Sequence, residues 1–265
     1  MKRFDYMLVL VVTLIITGCS CVGPAQELYS YWDGYDFSSL DGFDDIRVAE
    51  EKFDGYIDLL NKVPHDIAVE SLTEFLDSAS RNVVAYMVWA GWFEPYFHAL
   101  QSPYRNDELF VAWLDKVLED QVIDDGSMME HLQHMRAMQD RNKVGDYPQD
   151  LVLRDDTGRE LMLSEFTGRR TLLLFVDADC PSCLAALEEN AKDYSRTDVN
   201  LVAVLVNGSK YHLDNIRMQL SDDVLKPWTF VCVSAARLDE ALYDKTLLPF
   251  RMLISQEGLI EKSYY

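Results

Sequence analysis

An almost uninterrupted apolar run at residues 171–176, TLLLFV, restricts the fold of this chain more than any other feature. Such a run predicts a strand buried on both faces, which belongs in a sheet with helices packed on each side. Further strand patterns at 199–206 and 228–233 alternate with helical patterns at 180–194, 211–220 and 234–245. Hairpin patterns at 151–163 and 250–262 flank this alternation. Residues 143–265 are therefore predicted to form an α/β domain around a mixed sheet.

The preceding segment, residues 46–142, has a helical pattern instead. Apolar residues recur three and four positions apart, and Asn106 stands where a helix N-cap would precede an acidic first turn. Predicted helices cover 46–60, 68–79, 81–100, 106–118 and 127–141, the third being a buried helix kinked or restarted at Pro95. Gly145 and Pro148 mark a domain boundary at 142–150. The predicted fold class is two-domain α+β, with an all-α helical domain followed by the α/β domain.

The first residues carry a targeting pattern rather than a folded element. Basic residues precede an apolar run at 7–16 that is too short to span a bilayer, which is typical of a signal peptide. The run ends in Ile-Thr-Gly-Cys, which resembles the lipobox of bacterial lipoproteins. The resemblance implies a signal peptide at 1–18, lipidation of Cys19 and a place in the cell envelope outside the cytoplasm; an ordinary cleaved signal is the alternative. Residues 19–45 are predicted to be an acidic tether, part of which docks on the body through its aromatic residues.

Composition limits the partners of this chain. Asp and Glu number 45 against 24 Lys and Arg, which gives a net charge of −21. This charge argues against nucleic acid and against an electrostatic grip on anionic lipid. The five cysteines are too few for a disulfide scaffold once Cys19 is assigned to lipid.

A pair of cysteines, Cys180 and Cys183, follows the buried strand in the sequence DADCPSC. A Cys-x-x-Cys pair at a strand-to-helix junction suits redox chemistry, because the helix N-terminus stabilises the thiolate of the first cysteine. Pro181 fits the first helical turn. A structural zinc site would need a second ligand pair, and no second Cys-x-x-Cys exists; His131 and His134 belong to the helical domain. We predict no metal and no cofactor, and a static Cys180–Cys183 disulfide stays the alternative to a redox-active one.

Two segments resemble a known group of proteins. GDYPQDLVLRDDTGRELMLSEFTGRRTLLLFVDADCPSC and LLPFRMLI are similar to the thioredoxin-fold domains of extracytoplasmic thiol–disulfide oxidoreductases and peroxiredoxin-like proteins. The resemblance implies that Pro249 is a cis-proline facing the dithiol and that Leu248 presents its backbone to a substrate, with Pro181 also positioning it. The helical segment, with QSPYRNDELFVAWLDKVLED, resembles the uncharacterised helical domain that precedes such domains in envelope lipoproteins of Gram-negative bacteria.

This sequence departs from that group at the dithiol. Asp179 replaces the usual Trp before the first cysteine, and Leu174 replaces a polar residue that serves proton transfer. No peroxiredoxin-type Pro-x-x-x-Thr-x-x-Cys is present. Carboxylates at Asp177 and Asp179 are predicted to raise the pKa of Cys180 and make the pair more reducing, unless both point into solvent.

The sequence thus predicts a membrane-tethered thiol–disulfide oxidoreductase acting on exported proteins, on the reductant or isomerase side. Cys180 would attack the substrate disulfide, Cys183 would resolve it, and a membrane partner would supply electrons. The alternative is a redox-inactive binding or scaffold lipoprotein that docks a partner through the aromatic stretch at 86–104. Cys232, in an apolar strand pattern, is expected to be a buried inert thiol.

Overall fold

The computed structural model describes residues 23–37, 39–40 and 43–264. The predicted signal peptide at 1–18 and the predicted lipidation site Cys19 lie outside these residues. The two-domain α+β fold is confirmed, with a helical domain followed by a mixed sheet flanked by helices. No helix among the described residues combines the length and the apolar character that a bilayer crossing requires.

Six helices build the first domain around an aromatic core. They are α1 (Pro24–Tyr29), α2 (Ile46–Leu60), α3 (His65–Ala79), α4 (Val83–Phe97), α5 (Asp107–Asp120) and α6 (Gly126–Gln139). The pattern-based helices are confirmed, and α4 continues through Pro95, which lies in its last turn. Trp89 of α4 is buried at the centre, where its ring contacts those of Phe53 and Phe75.

The predicted acidic tether is partly folded, and the expected docking of its aromatic residues is confirmed. Residues 24–29 form a helix, and Leu28 and Phe37 are buried in the core of the helical domain. The ring of Trp32 lies 5.1 Å from that of Phe75 and 5.7 Å from that of Trp89. Burial of these aromatic groups outweighs the preference of the neighbouring acids for solvent, so this segment belongs to the folded domain.

A seven-stranded sheet forms the second domain. Its strands are β1 (Val152–Arg154), β2 (Glu160–Met162), β3 (Thr171–Val176), β4 (Asn200–Val206), β5 (Trp228–Val233), β6 (Phe250–Ile254) and β7 (Ile260–Tyr264), in the spatial order β2-β1-β5-β4-β3-β6-β7. β3, β4 and β5 are parallel, whereas β6 is antiparallel to β3. All six residues of β3 are buried, as its apolar run predicts.

Four helices cover the two faces of this sheet and its loops: α7 (Pro181–Asp193), α8 (Lys210–Gln219), α9 (Asp222–Leu225) and α10 (Ala235–Glu240). The prediction of a helix over 234–245 is wrong at its C-terminal end. Leu242 has a φ of +57°, a left-handed conformation that cannot continue a right-handed helix. The chain therefore turns after α10 and brings Asp244 towards the helical domain.

One buried contact joins the two domains. The Nε2 atom of His98, just after α4, lies 2.6 Å from Oδ2 of Asp244, and both side chains are at most one-tenth exposed. The imidazole also stacks on the ring of Phe110, 4.3 Å between centroids. Asp244 accepts two further hydrogen bonds from Thr246. This arrangement fixes the end of α4 against the loop that leads into β6.

Candidate active site

The dithiol stands at the N-terminus of α7. Cys180 is the N-cap residue and Pro181 opens the helix, as predicted. The Sγ atom of Cys180 accepts a hydrogen bond from the backbone N–H of Cys183 at 3.2 Å, which is the bond that an N-cap side chain makes. Cys180 is partly exposed, whereas Cys183 is fully buried beneath it. Both cysteines are free thiols in this structure.

Cys180 has the features of an attacking thiol. Partial burial acts to raise its pKa, but hydrogen bonds from the Cys183 thiol, the Ser182 hydroxyl and backbone N–H groups outweigh burial and lower it. The Ser182 Oγ atom lies 3.0 Å from the Cys180 Sγ atom. A lowered pKa enlarges the thiolate fraction near neutral pH, and the thiolate is the nucleophile.

Cys183 has the opposite character. Burial is the main cause that raises the pKa of this thiol to about 12, and the hydrogen bond to Cys180 and the charges of Cys180 and Asp177 act in the same direction. At neutral pH Cys183 is therefore a protonated thiol that can stabilise the neighbouring thiolate. The two cysteines are thus differentiated into an exposed thiolate and a buried proton-bearing partner.

The prediction that the flanking acids raise the pKa of Cys180 is wrong in direction. The side chain of Asp179 is exposed, and its backbone N–H donates to Oδ1 of Asp177 at 2.9 Å. The thiol on which the charge of Asp177 acts is Cys183. Local hydrogen bonds at the helix N-terminus decide the protonation state of Cys180, and its lowered pKa does not favour a strongly reducing pair.

The segment before β6 lies beside the dithiol. Phe175 of β3 pairs with Phe250 of β6, and the two strands are antiparallel, so the chain after β3 and the chain before β6 emerge at the same end of the sheet. The Leu248–Pro249 peptide bond is cis, as the resemblance implied. Leu248 and Cys180 are both partly buried against the core cluster that contains Cys183. The substrate-positioning role of Leu248, Pro249 and Pro181 remains a prediction.

Sequence reasoning missed a group at the dithiol and an ion pair further along α7. One is Ser182, whose place two residues after a cysteine N-cap was a signal for a hydroxyl–sulfur contact. The other is Arg251 of β6, which stands opposite Leu174 in the sheet and binds Glu189 of α7 at 2.7 Å. No local sequence signal indicates this ion pair, because it depends on the pairing of β3 with β6.

Other candidate residues lie away from the dithiol. His131 stands 3.8 Å from Glu94 at an exposed site of the helical domain. Cys232 is partly buried, burial raises the pKa of its thiol, and its Sγ atom lies close to the backbone of Gly208. The aromatic stretch at 86–104 supplies core residues, including Trp89, as its helical pattern favours.

Comparisons with known proteins agree with this architecture. Residues 28–142 match the model of a domain of unknown function, DUF5106, and residues 144–264 match that of the AhpC/TSA family. The chain thus carries a thioredoxin-like AhpC/TSA domain in its C-terminal half, preceded by a DUF5106 helical domain. The predicted thioredoxin-like domain with a helical domain before it is confirmed, and its family supports a thiol-based redox function in general terms. A search of curated proteins found no match.

Among solved structures, the first one reported below supports the fold of the whole chain. A thioredoxin-like protein from Bacteroides caccae is 18% identical, with a TM-score of 0.68, and the match covers 98% of this chain and 95% of that one. The thioredoxin domain of a thiol-disulfide oxidoreductase from Bacteroides vulgatus is 17% identical over 46% of this chain and 89% of that one, with a TM-score of 0.38. A thiol:disulfide interchange protein from Bacteroides sp. is 17% identical over 46% of this chain and 80% of that one, with a TM-score of 0.37.

Proposed function

We propose that this protein is a thiol–disulfide oxidoreductase that acts on exported proteins and is tethered to a membrane of the cell envelope through lipid at Cys19. The observation that carries the redox assignment is the difference between the two thiols. Cys180 is partly exposed at a helix N-terminus with a lowered pKa, and Cys183 is buried with a pKa of about 12. An inert disulfide staple requires no such differentiation.

The proposed reaction is a thiol–disulfide exchange in two steps. The Cys180 thiolate attacks one sulfur of a substrate disulfide, which forms a mixed disulfide and releases a substrate thiolate that takes up a proton. The Cys183 thiol then loses its proton and attacks the Cys180 sulfur, which releases the second substrate thiol. The substrate gains two electrons and two protons, and the protein holds a Cys180–Cys183 disulfide. A membrane partner with a dithiol would reduce that disulfide by the same exchange.

The hydrogen bonds to the Cys180 sulfur bear on the direction of exchange. The prediction of a reducing pair assumed a thiolate destabilised by carboxylates, whereas the hydrogen bonds of Ser182 and Cys183 stabilise it. A stabilised thiolate favours the dithiol form and makes the pair less reducing. The equilibrium of the full-length protein with a glutathione redox buffer measures this property directly.

Replacement of the resolving cysteine tests the proposed function. Cys183→Ser should leave the attack by Cys180 intact and block resolution, so mixed disulfides with envelope proteins should accumulate and disappear on treatment with a reductant. Non-reducing electrophoresis and mass spectrometry of the full-length protein in its native envelope would identify the trapped proteins.

Two control variants complete this experiment. Cys180→Ser should trap nothing, and Cys232→Ser should behave as the wild type. Absence of trapped partners with Cys183→Ser, together with a Cys180–Cys183 disulfide that does not exchange, would favour the binding or scaffold alternative.

A further inference from the structure

A groove of about 520 Å³ runs between the two domains. One wall is the end of α4 and the chain after it, and the other is the segment that leads into the cis-proline. The lining includes Glu94, Pro95, Ala99 and Leu100 from the helical domain and Leu247 and Leu248 from the thioredoxin-like domain. Pro95 and Ala99 are exposed, so the groove is open to solvent. Its size lies within the range of peptide and small-molecule sites.

Leu248 relates the groove to the dithiol site. Leu248 lines it and also packs against the core cluster below Cys180. The β3–β6 register brings the chain after Val176 next to the chain before Phe250, so the groove opens at the end of the sheet that carries Cys180. When a disulfide of a substrate polypeptide reaches Cys180, the substrate residues next to the disulfide-bonded cysteine would lie beside this groove.

The helical wall is held in place. His98 lines the groove next to Ala99, and its buried contact with Asp244 ties this stretch to the loop before β6. Arg105 adds a hydrogen bond to the carbonyl of His98 at 3.0 Å. A wall anchored by buried polar contacts can discriminate between ligands, because it does not yield to a poorly fitting chain.

The groove lining favours ligands with apolar side chains over ligands with acidic ones. Its side chains are mostly apolar, and Glu94 is the charged residue among them. Asp177 and Asp179 add two carboxylates beside Cys180. Apolar side chains of a ligand gain from burial in such a groove, whereas acidic ones meet like charges.

We infer that the helical domain forms one wall of the substrate site, and that the groove binds an extended polypeptide segment with apolar residues next to its disulfide-bonded cysteine. The inference rests on the proposed oxidoreductase function and assigns a task to the helical domain. The segment would lie along Leu248, as extended peptides lie along exposed strand-like backbone, with alternate side chains entering the groove.

Exchange rates with three small probes test this inference. The probes are a disulfide-linked peptide with Leu on both sides of its cysteine, the same peptide with Glu at those positions, and 2-hydroxyethyl disulfide. The reduced full-length protein should react with the Leu peptide about tenfold faster than with the Glu peptide. Ala99→Trp, which fills the groove, should slow the Leu peptide about tenfold and slow the small disulfide much less.

Two further variants keep the test decisive. Val84→Trp introduces the same side chain at an exposed site at the start of α4, and it should change none of the three rates. Ala99→Glu adds charge with less bulk, so it should also slow the Leu peptide if Ala99→Trp fails to fold. Equal rates for both peptides, or equal slowing of all three probes by the Ala99 variants, would overturn the inference. A wild-type protein that reacts with no probe would instead refute the proposed function.

Discussion

Ser182 shows how one side chain can set the reactivity of a thiol. Its hydroxyl lies 3.0 Å from the Cys180 sulfur and is one of the groups that lower the pKa of that thiol. A hydroxyl supplies this effect without a charge, so a dithiol flanked by carboxylates can still hold a thiolate.

Ser182→Ala should therefore raise the pKa of Cys180. Loss of the hydroxyl donor destabilises the thiolate, and alkylation of Cys180 just below neutral pH should slow a few-fold. The ultraviolet absorbance of the thiolate against pH measures the change. Ser195→Ala, at an exposed site after α7, is the matched control, and an unchanged titration in Ser182→Ala would contradict this account.

Asp177 acts on the buried thiol rather than the exposed one. Its charge is one of the causes that raise the pKa of Cys183, so Asp177→Asn should lower that pKa. Release of a mixed disulfide from Cys180 should then become a few-fold faster at neutral pH, because more Cys183 thiolate is present. Rapid-quench measurement of that step reports the change.

Slower release in Asp177→Asn would contradict this account of the Asp177 charge. A slower release would show that the carboxylate removes the proton from Cys183, a role that Leu174 cannot fill. Asp179→Asn should leave both steps unchanged, since that side chain is exposed.

At the residue scale the dithiol could be predicted from its short motif, whereas the cis-proline was implied by the resemblance to thioredoxin-fold proteins. The sequence did not indicate the direction of the pKa shift at Cys180. That direction depends on which nearby groups point at the sulfur, and the carboxylates of DADCPSC are near in sequence without acting on that thiol.

At the scale of elements, periodicity and capping account for most of the fold. Asn106 is the N-cap of α5, as predicted, and its side chain accepts a hydrogen bond from the N–H of Leu109 at 3.1 Å. It also donates to Oδ1 of Asn61 after α2, so this cap connects two helices.

Asn106→Ala should lower the free energy of unfolding by about 1 kcal/mol, because the first turn of α5 loses its side-chain acceptor. Chemical denaturation followed by circular dichroism measures the loss. Asn215→Ala, within α8 and away from any cap, should cost less. Equal losses in the two variants would show that the cap does not stabilise α5.

Two segments differ from their predicted secondary structure. The sequence predicts that the 24–37 segment docks through its aromatic residues, but it does not show how much of the segment is folded, because the core that receives these residues forms only when α2, α3 and α4 assemble. The helix at 234–245 was too long because its apolar spacing continues past Leu242, where the backbone turns left-handed.

At the scale of the whole molecule, the buried contact between His98 and Asp244 helps to hold the two domains together. His98 and Asp244 lie far apart in the sequence, and no local pattern pairs them. The hydrogen bonds from His98 and Thr246 outweigh the effect of burial and lower the pKa of Asp244. The contact between His98 and Asp244 therefore forms only when the two domains come together in the folded protein.

Asp244→Asn should lower the free energy of unfolding by about 2–3 kcal/mol near neutral pH, because buried partners lose a charged acceptor. The folded pKa of Asp244 lies below its unfolded value, so this stabilisation is complete above about pH 4 and is lost as the pH falls further. Denaturation of wild type and variant across acidic pH should show the difference shrinking.

Asp239→Asn provides the comparison for this contact. Asp239 pairs with Lys245 at an exposed site, so its replacement should have little effect on stability at any pH. A constant difference between wild type and Asp244→Asn down to low pH would contradict the assigned role of Asp244.

The pairing of β3 with β6 has a consequence for the newly made chain. Along the chain, β3 and the helix with the dithiol come well before β6 and the loop with Leu248, so they are available to fold first in any synthesis or export that proceeds from the N-terminus. Until β6 joins the sheet, both cysteines exist without the surface that would receive a substrate. Under the proposed function, the two thiols would be present before the surface that discriminates between substrates, and selective exchange would begin only when nearly the whole second domain has folded.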